Sequence, residues 1–127
     1  MNKSVLSKNW HEYFVVEGVQ ENLPGIYKWE IEGVGSYIGK YKSIRRPTKE
    51  YGRNVRRLLN EKPYRKGKPG GYRRIHRALA EAVQHGRRIT LRILENVDES
   101  HICAREAELI KLRGNLNGPA RSMSSSG

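Results

Sequence analysis

The sequence predicts an α+β domain, and three observations carry that prediction. Short segments alternate apolar and polar residues as strands do, others repeat apolar residues at helical spacing, and glycines and prolines mark the gaps between them. Along the chain the order is strand, strand, helix, helix, strand, helix, with no internal repeat. The 127 residues suit one domain, and an apolar content of 36% supports a modest core.

Residues 1–22 form an N-terminal extension. Trp10, Tyr13 and Phe14 stand at i, i+3 and i+4 and predict a short helix there. Pro24 and Gly25 punctuate the chain. From Ile26 to Ile31 a strand places Tyr27, Trp29 and Ile31 on one face and Ile26, Lys28 and Glu30 on the other. Residues 32–35 make a glycine-rich turn, and Ser36 to Gly39 return as the second strand of a hairpin. Residues 41–50 read as a basic loop broken by Pro47, with Arg46 held extended because a residue before proline avoids helical geometry. Tyr51 to Asn60 predict a helix that buries Val55, Leu58 and Leu59. Residues 61–71 are a loop with two prolines, three glycines and four basic residues. Ile75, Ala78, Leu79, Ala82 and Val83 define the next helix, which Gly86 closes. Ile89, Leu91 and Ile93 alternate as a third strand ending near Asn96. Ser100 caps a last helix to about Arg113, with Gly114 as its stop. Residues 119–127 read as a disordered tail.

The chain carries 25 basic and 13 acidic residues, a net charge of +12. Between Lys40 and Arg77 there are 15 basic and two acidic residues, against 10 and 11 in the remainder. So concentrated a surplus is costly unless a polyanion meets it. A solvated charged face is the bland alternative. Against it, Tyr41, Tyr51, Tyr64, Tyr72 and several aliphatic residues interleave the block, so it can fold as a nucleic-acid surface. Lys42, Arg45, Arg46, Arg56, Arg65, Lys66, Lys68, Arg73, Arg74 and Arg77 are its candidate contacts. A lone cysteine, Cys103, argues against a disulfide scaffold and a cysteine-cluster zinc site, and no apolar run suits a bilayer or a signal peptide. The expectation is a cytoplasmic protein with no membrane partner.

One carboxylate is out of place. Ile102, Glu106 and Ile110 are successive i+4 neighbours on the last helix, so Glu106 faces the sheet while Arg105, Glu108 and Lys111 face solvent. An inward carboxylate needs a partner: either one of the many arginines, or a hard cation such as Mg²⁺, which uses one or two carboxylates and keeps several waters. Tyr27 and Tyr37 stand beside glycines on adjacent strands, where core packing alone could also account for them. The four histidines show no zinc spacing, and no nucleophile motif or phosphate-binding glycine loop occurs.

Gly25-Ile26-Tyr27, nine residues, then Tyr37-Ile38-Gly39 resembles the signature of the GIY-YIG endonuclease superfamily. The segment Glu106 to Lys111 resembles that family's glutamate helix, and Asn117 its closing asparagine, so the likeness spans about residues 23–118. The resemblance implies a small three-stranded antiparallel sheet flanked by helices, and a metal-dependent DNA endonuclease, of restriction or homing type. Glu106 would hold Mg²⁺, for which Mn²⁺ can substitute. Tyr27 or Tyr37 would take a proton from the attacking water, its pKa drawn down by the positive block and the metal. The family's arginine falls best on Arg53, with Arg57 one turn on and Lys40 in support, while Arg46 is the rival. Asn117 would brace the site. A catalytically inactive nucleic-acid-binding module on the same scaffold is the alternative, and a homodimer follows if both strands are cut.

Overall fold

Four strands, β1 (Glu12–Val15), β2 (Gly25–Ile31), β3 (Gly35–Tyr41) and β4 (Ile89–Asn96), form one mixed sheet in the order β1-β4-β2-β3. Three helices, α1 (Tyr51–Leu59), α2 (Arg74–Gln84) and α3 (Ile102–Arg113), complete the α+β architecture. This computed structural model describes residues 6–64, 67, 68, 70–113 and 115–117; Arg65, Lys66, Gly114 and the tail 119–127 lie outside them.

The hairpin forms as its alternation predicts. Tyr27 pairs with Gly39 and Trp29 with Tyr37, while β2 also pairs antiparallel with β4. One sheet face buries Tyr27, Trp29, Ile31, Leu91 and Ile93 against Val55, Ile75 and Leu79 of α1 and α2. The other buries Ile26 and Ile38 against Ile102 and Leu109 of α3. Each such side chain contributes about 1.5–3 kcal/mol. Those two apolar layers fix α3 on the side of the sheet opposite α1 and α2.

Three expectations are corrected. The sheet has four strands, because residues 12–15 form β1, parallel to β4, where a helix was expected. Glu-Tyr-Phe-Val is rich in aromatic and β-branched residues, and the outer edge of β4 offers it a ladder. Of the three aromatics expected on one helix face, Trp10 reaches the core and stacks on Trp29 at 5.3 Å, while Tyr13 and Phe14 stay exposed. Secondly, Arg46–Glu50 is a π-helical turn running into α1, not an extended loop. Pro47 sits within its first turn, where a missing N–H breaks no helical hydrogen bond, and its ring is buried. Thirdly, Asp98 rather than Ser100 caps the approach to α3, its carboxylate accepting from the backbone N–H groups of Ser100 and His101.

Past α3 the chain returns along the outer edge of β3. Asn115 Oδ1 accepts from the Ser36 N–H, the Leu116 N–H donates to the Ser36 carbonyl, and the Asn117 amide makes two 2.7 Å hydrogen bonds with the Ile38 backbone. Two side-chain amides thus stand in for a fifth strand as far as Ile38.

Candidate active site

Where that strap stops, a pocket of about 600 Å³ wraps around the edge of β3. Strand alternation puts Tyr27, Tyr37 and Gly39 on one wall, and Lys40 on the other beside Ile102 and Glu106 of α3. Gly39 lies between the walls, and its missing side chain is a geometric requirement: a Cβ there would stand 2.3 Å from the Tyr27 ring. At Gly25 a Cβ would meet the Glu95 carbonyl at the same distance. Leu94 is the extra residue of a β-bulge opposite the Ile26–Tyr27 step, and such bulges sharpen local twist and re-aim side chains. Gly39 and the bulge therefore bear on the placement of the Tyr27 phenol, while Gly25 allows the close approach of the Glu95 carbonyl and the Tyr41 ring.

Tyr27 hydrogen-bonds Tyr51 through their hydroxyls at 2.5 Å, and both rings are 1% exposed. Arg73 donates to both Tyr37 (2.9 Å) and Tyr51 (2.7 Å). Since a guanidinium can only donate, Tyr51 accepts from Arg73 and can turn its own O–H toward Tyr27. The chain Arg73–Tyr51–Tyr27 then leaves the Tyr27 proton free for the pocket. Burial pushes the Tyr27 phenol up to about 12, and nearby Tyr37 adds to the rise; Tyr51, Arg46 and Arg73 oppose it. Burial, with the Tyr27 and Tyr37 phenols, also raises Tyr51 well above the usual tyrosine range against the pull of Arg73. The expectation that the basic block lowers Tyr27 is thus reversed, because desolvation outweighs the guanidiniums.

Arg73 is fixed from behind. It precedes α2 in extended conformation, and its N–H donates to Nδ1 of His76 at 3.1 Å. The remaining His76 proton therefore sits on Nε2, 3.3 Å from the Asn54 side-chain amide, which accepts it when its Oδ1 is turned to that side. Burial first, then Arg73, Arg46 and Arg77, lower His76 to about 4, so the ring is neutral. Burial also opposes the Arg73 charge, but the phenols of Tyr51, Tyr37 and Tyr27 more than offset it and raise its pKa.

The pocket's charges are mostly matched. Lys40 meets Glu106 at 3.5 Å, Lys42 meets Glu99 and Arg46 meets Glu50, each at 3.9 Å. Arg73 has no carboxylate within 4 Å among the described residues; its partners are phenols. It is the cation most available to an incoming anion. Glu106 keeps a side-chain exposure of 20%, and its partner Lys40 is 47% exposed, so the carboxylate is reachable from the pocket.

Of the residues singled out from the sequence, Tyr27, Tyr37, Lys40, Lys42, Arg46, Arg73 and Glu106 meet in this pocket. Arg53 and Arg57 do not. They line a separate cleft with Asn54 and Tyr64, because α1 starts with Tyr51 toward the site and carries them onward on another face. Arg74 and Arg77 line a further groove, Arg56 is exposed, Arg45 is exposed at the head of the 46–50 helical turn, and Lys68 is exposed. Asn117 touches backbone, as a brace would. Sequence reasoning missed Tyr51 and the bridging position of Arg73; the signal was a basic pair directly before the first apolar residue of α2. The chain matches no protein-family model, no curated protein and no solved structure.

Proposed function

We propose that this protein is a metal-dependent DNA endonuclease of the GIY-YIG type, hydrolysing a phosphodiester held in the β3-edge pocket. What carries the reading is convergence: residues 27, 37, 40, 73 and 106, far apart in sequence, line one pocket that joins phenols, a carboxylate and a cation without a carboxylate partner. The donor set fits a hard divalent cation, since Glu106 offers carboxylate oxygens and the Lys40 ammonium can swing aside. Glu106 would hold Mg²⁺, or Mn²⁺ in its place, as a single carboxylate with water completing the shell, since no group of three or more acidic, histidine or cysteine ligands gathers among the described residues. When bound, the metal would supply charge stabilisation at the scissile phosphate.

The protein's own residues divide the remaining work. Arg73 clamps the non-bridging phosphate oxygens, where donors matter most as charge develops. Tyr37, half-buried and open to the pocket, takes the proton of the attacking water as the tyrosinate and so becomes the phenol, while the Arg73 guanidinium supports its oxygen. Tyr27, kept protonated by burial, donates a hydrogen bond to the phosphate rather than acting as tyrosinate. Lys40, released from Glu106, is placed to protonate the leaving 3′ oxygen. Supercoiled plasmid incubated with the protein and Mg²⁺ should be nicked or cut, and EDTA should stop it. Binding without cleavage would instead select the inactive DNA-binding module.

A further inference from the structure

The two arginines displaced from the pocket stand in a setting that calls for a ligand. α1 carries three arginines and no acidic residue in nine positions, and Arg53 and Arg57 are i, i+4 neighbours on one face. Like charges at that spacing weaken a helix by a few tenths of a kcal/mol. Among the described residues no carboxylate lies within 4 Å of Arg53, Arg56 or Arg57, whereas the pocket's Lys40, Lys42 and Arg46 all have one. Arg57 is also pre-positioned: its Nε and Nη2 both donate to the Pro63 carbonyl, at 3.2 and 2.8 Å, which leaves Nη1 for another acceptor. The cleft they line, about 320 Å³, has Asn54 as its floor and Tyr64 as a wall. The Tyr64 ring is held 5.3 Å from Tyr72, beside His76. Two guanidiniums, an amide and an aromatic face make a site for a phosphodiester with its sugar or base alongside.

We propose that this cleft is a second phosphate subsite, which receives a DNA backbone phosphate flanking the one in the β3-edge pocket. The identity of the ligand rests on the endonuclease reading. Spacing along α1 supports the pairing. Arg53 and Arg57 follow Tyr51 by two and six residues, about 3 and 9 Å of axial rise. A duplex presents one phosphate per strand for roughly every 3.4 Å of its axis, so a separation of this order lies within reach of phosphates neighbouring the one in the pocket. The two sites are mechanically joined, since Asn54 of the cleft floor contacts the same His76 that fixes Arg73.

The test is duplex-DNA binding in EDTA, followed across salt concentrations, for the wild type, Arg53→Ala, Arg57→Gln, Arg73→Gln and the Arg53/Arg73 double variant. Lys111→Ala, on α3, is the charge-matched control, and thermal melting confirms that each variant is folded. Arg53→Ala should flatten the log–log salt slope by about 0.9, an eightfold loss near 0.1 M salt, and Arg57→Gln should do the same. The double variant should lose about 1.8, because two separate phosphates are involved. A slope for Arg53→Ala equal to that of Lys111→Ala overturns the subsite, as does a double variant no flatter than Arg73→Gln. These readouts need no catalysis: flattened slopes in a protein that never cuts plasmid would sink the nuclease reading and leave the subsite standing. Metal-dependent cutting with an unchanged Arg53→Ala slope would do the reverse.

Discussion

Glu106 and Glu108 are two residues apart yet do opposite things. Glu108 accepts from Arg105 at 2.7 Å on the exposed side of α3, while Glu106 reaches the pocket. Glu106→Gln should therefore abolish metal-dependent cleavage with DNA affinity roughly kept, and Glu108→Gln should change little; gel assays of plasmid nicking decide it. Arginines separate in the same way. On the endonuclease reading, Arg73→Ala removes the phosphate clamp and should cost on the order of 3 kcal/mol, a hundredfold or more in single-turnover rate with saturating enzyme. Arg46, already engaged with Glu50 at 3.9 Å, should cost far less when truncated. If Arg46→Ala proved the slower of the two, the turn before α1 rather than the start of α2 would carry the clamp.

At the level of elements, the amide strap over β3 couples the C-terminal segment to the pocket. Asn117 pairs with Ile38, the residue between Tyr37 and Gly39. Asn117→Ala should lower stability by about 1–3 kcal/mol, read from thermal melts, because it strips two backbone groups of their partners. It should also slow cleavage by loosening the Tyr37 backbone, and hydrogen exchange at the Ile38 amide should speed up. Elements with a strong period were legible beforehand: the hairpin, α1, α2, β4 and α3 all sit within a few residues of where alternation and i+3/i+4 spacing put them. Glu106 was legible for the same reason, as a polar residue breaking an apolar face. β1 was not, because four residues carry too little period, and Trp10, Tyr13 and Phe14 mimic a helical stripe. The position of Arg73 was illegible for a different reason. It depends on how the start of α2 docks beside Tyr51 on the same side of the sheet, a tertiary fact that the spacing after Gly39 does not contain.

For the molecule as a whole, pH and salt are the informative variables. His76 has a folded pKa depressed to about 4 from an ordinary 6.5, so folding favours its neutral form. That stability is present above pH 6.5 and lost as pH falls toward 4, on the order of 2 kcal/mol. His76→Gln should flatten the acid side of the denaturation curve. Tyr27 and Tyr51 act at the other end: burial raises both folded phenols, so their contribution holds below pH 10 and drains away as pH rises toward the Tyr27 value of about 12. Salt should reveal the partner. Concentrated positive charge predicts DNA affinity that falls steeply with ionic strength and hardly at all with base sequence, and a salt-independent affinity would reduce the block to a solvated surface.

The strap has one more consequence, for how the chain behaves among its own copies. An unpaired strand margin is a template for other strands, and β3, with seven residues, is long enough to recruit them. Asn115, Leu116 and Asn117 occupy that margin from Val34 to Ile38 and thereby act as a built-in guard against self-templated polymerisation. Clipping the chain after Arg113 should accordingly yield a protein that scatters light on warming well before its helices melt, so that the residues bracing the pocket are also those that keep the protein in solution.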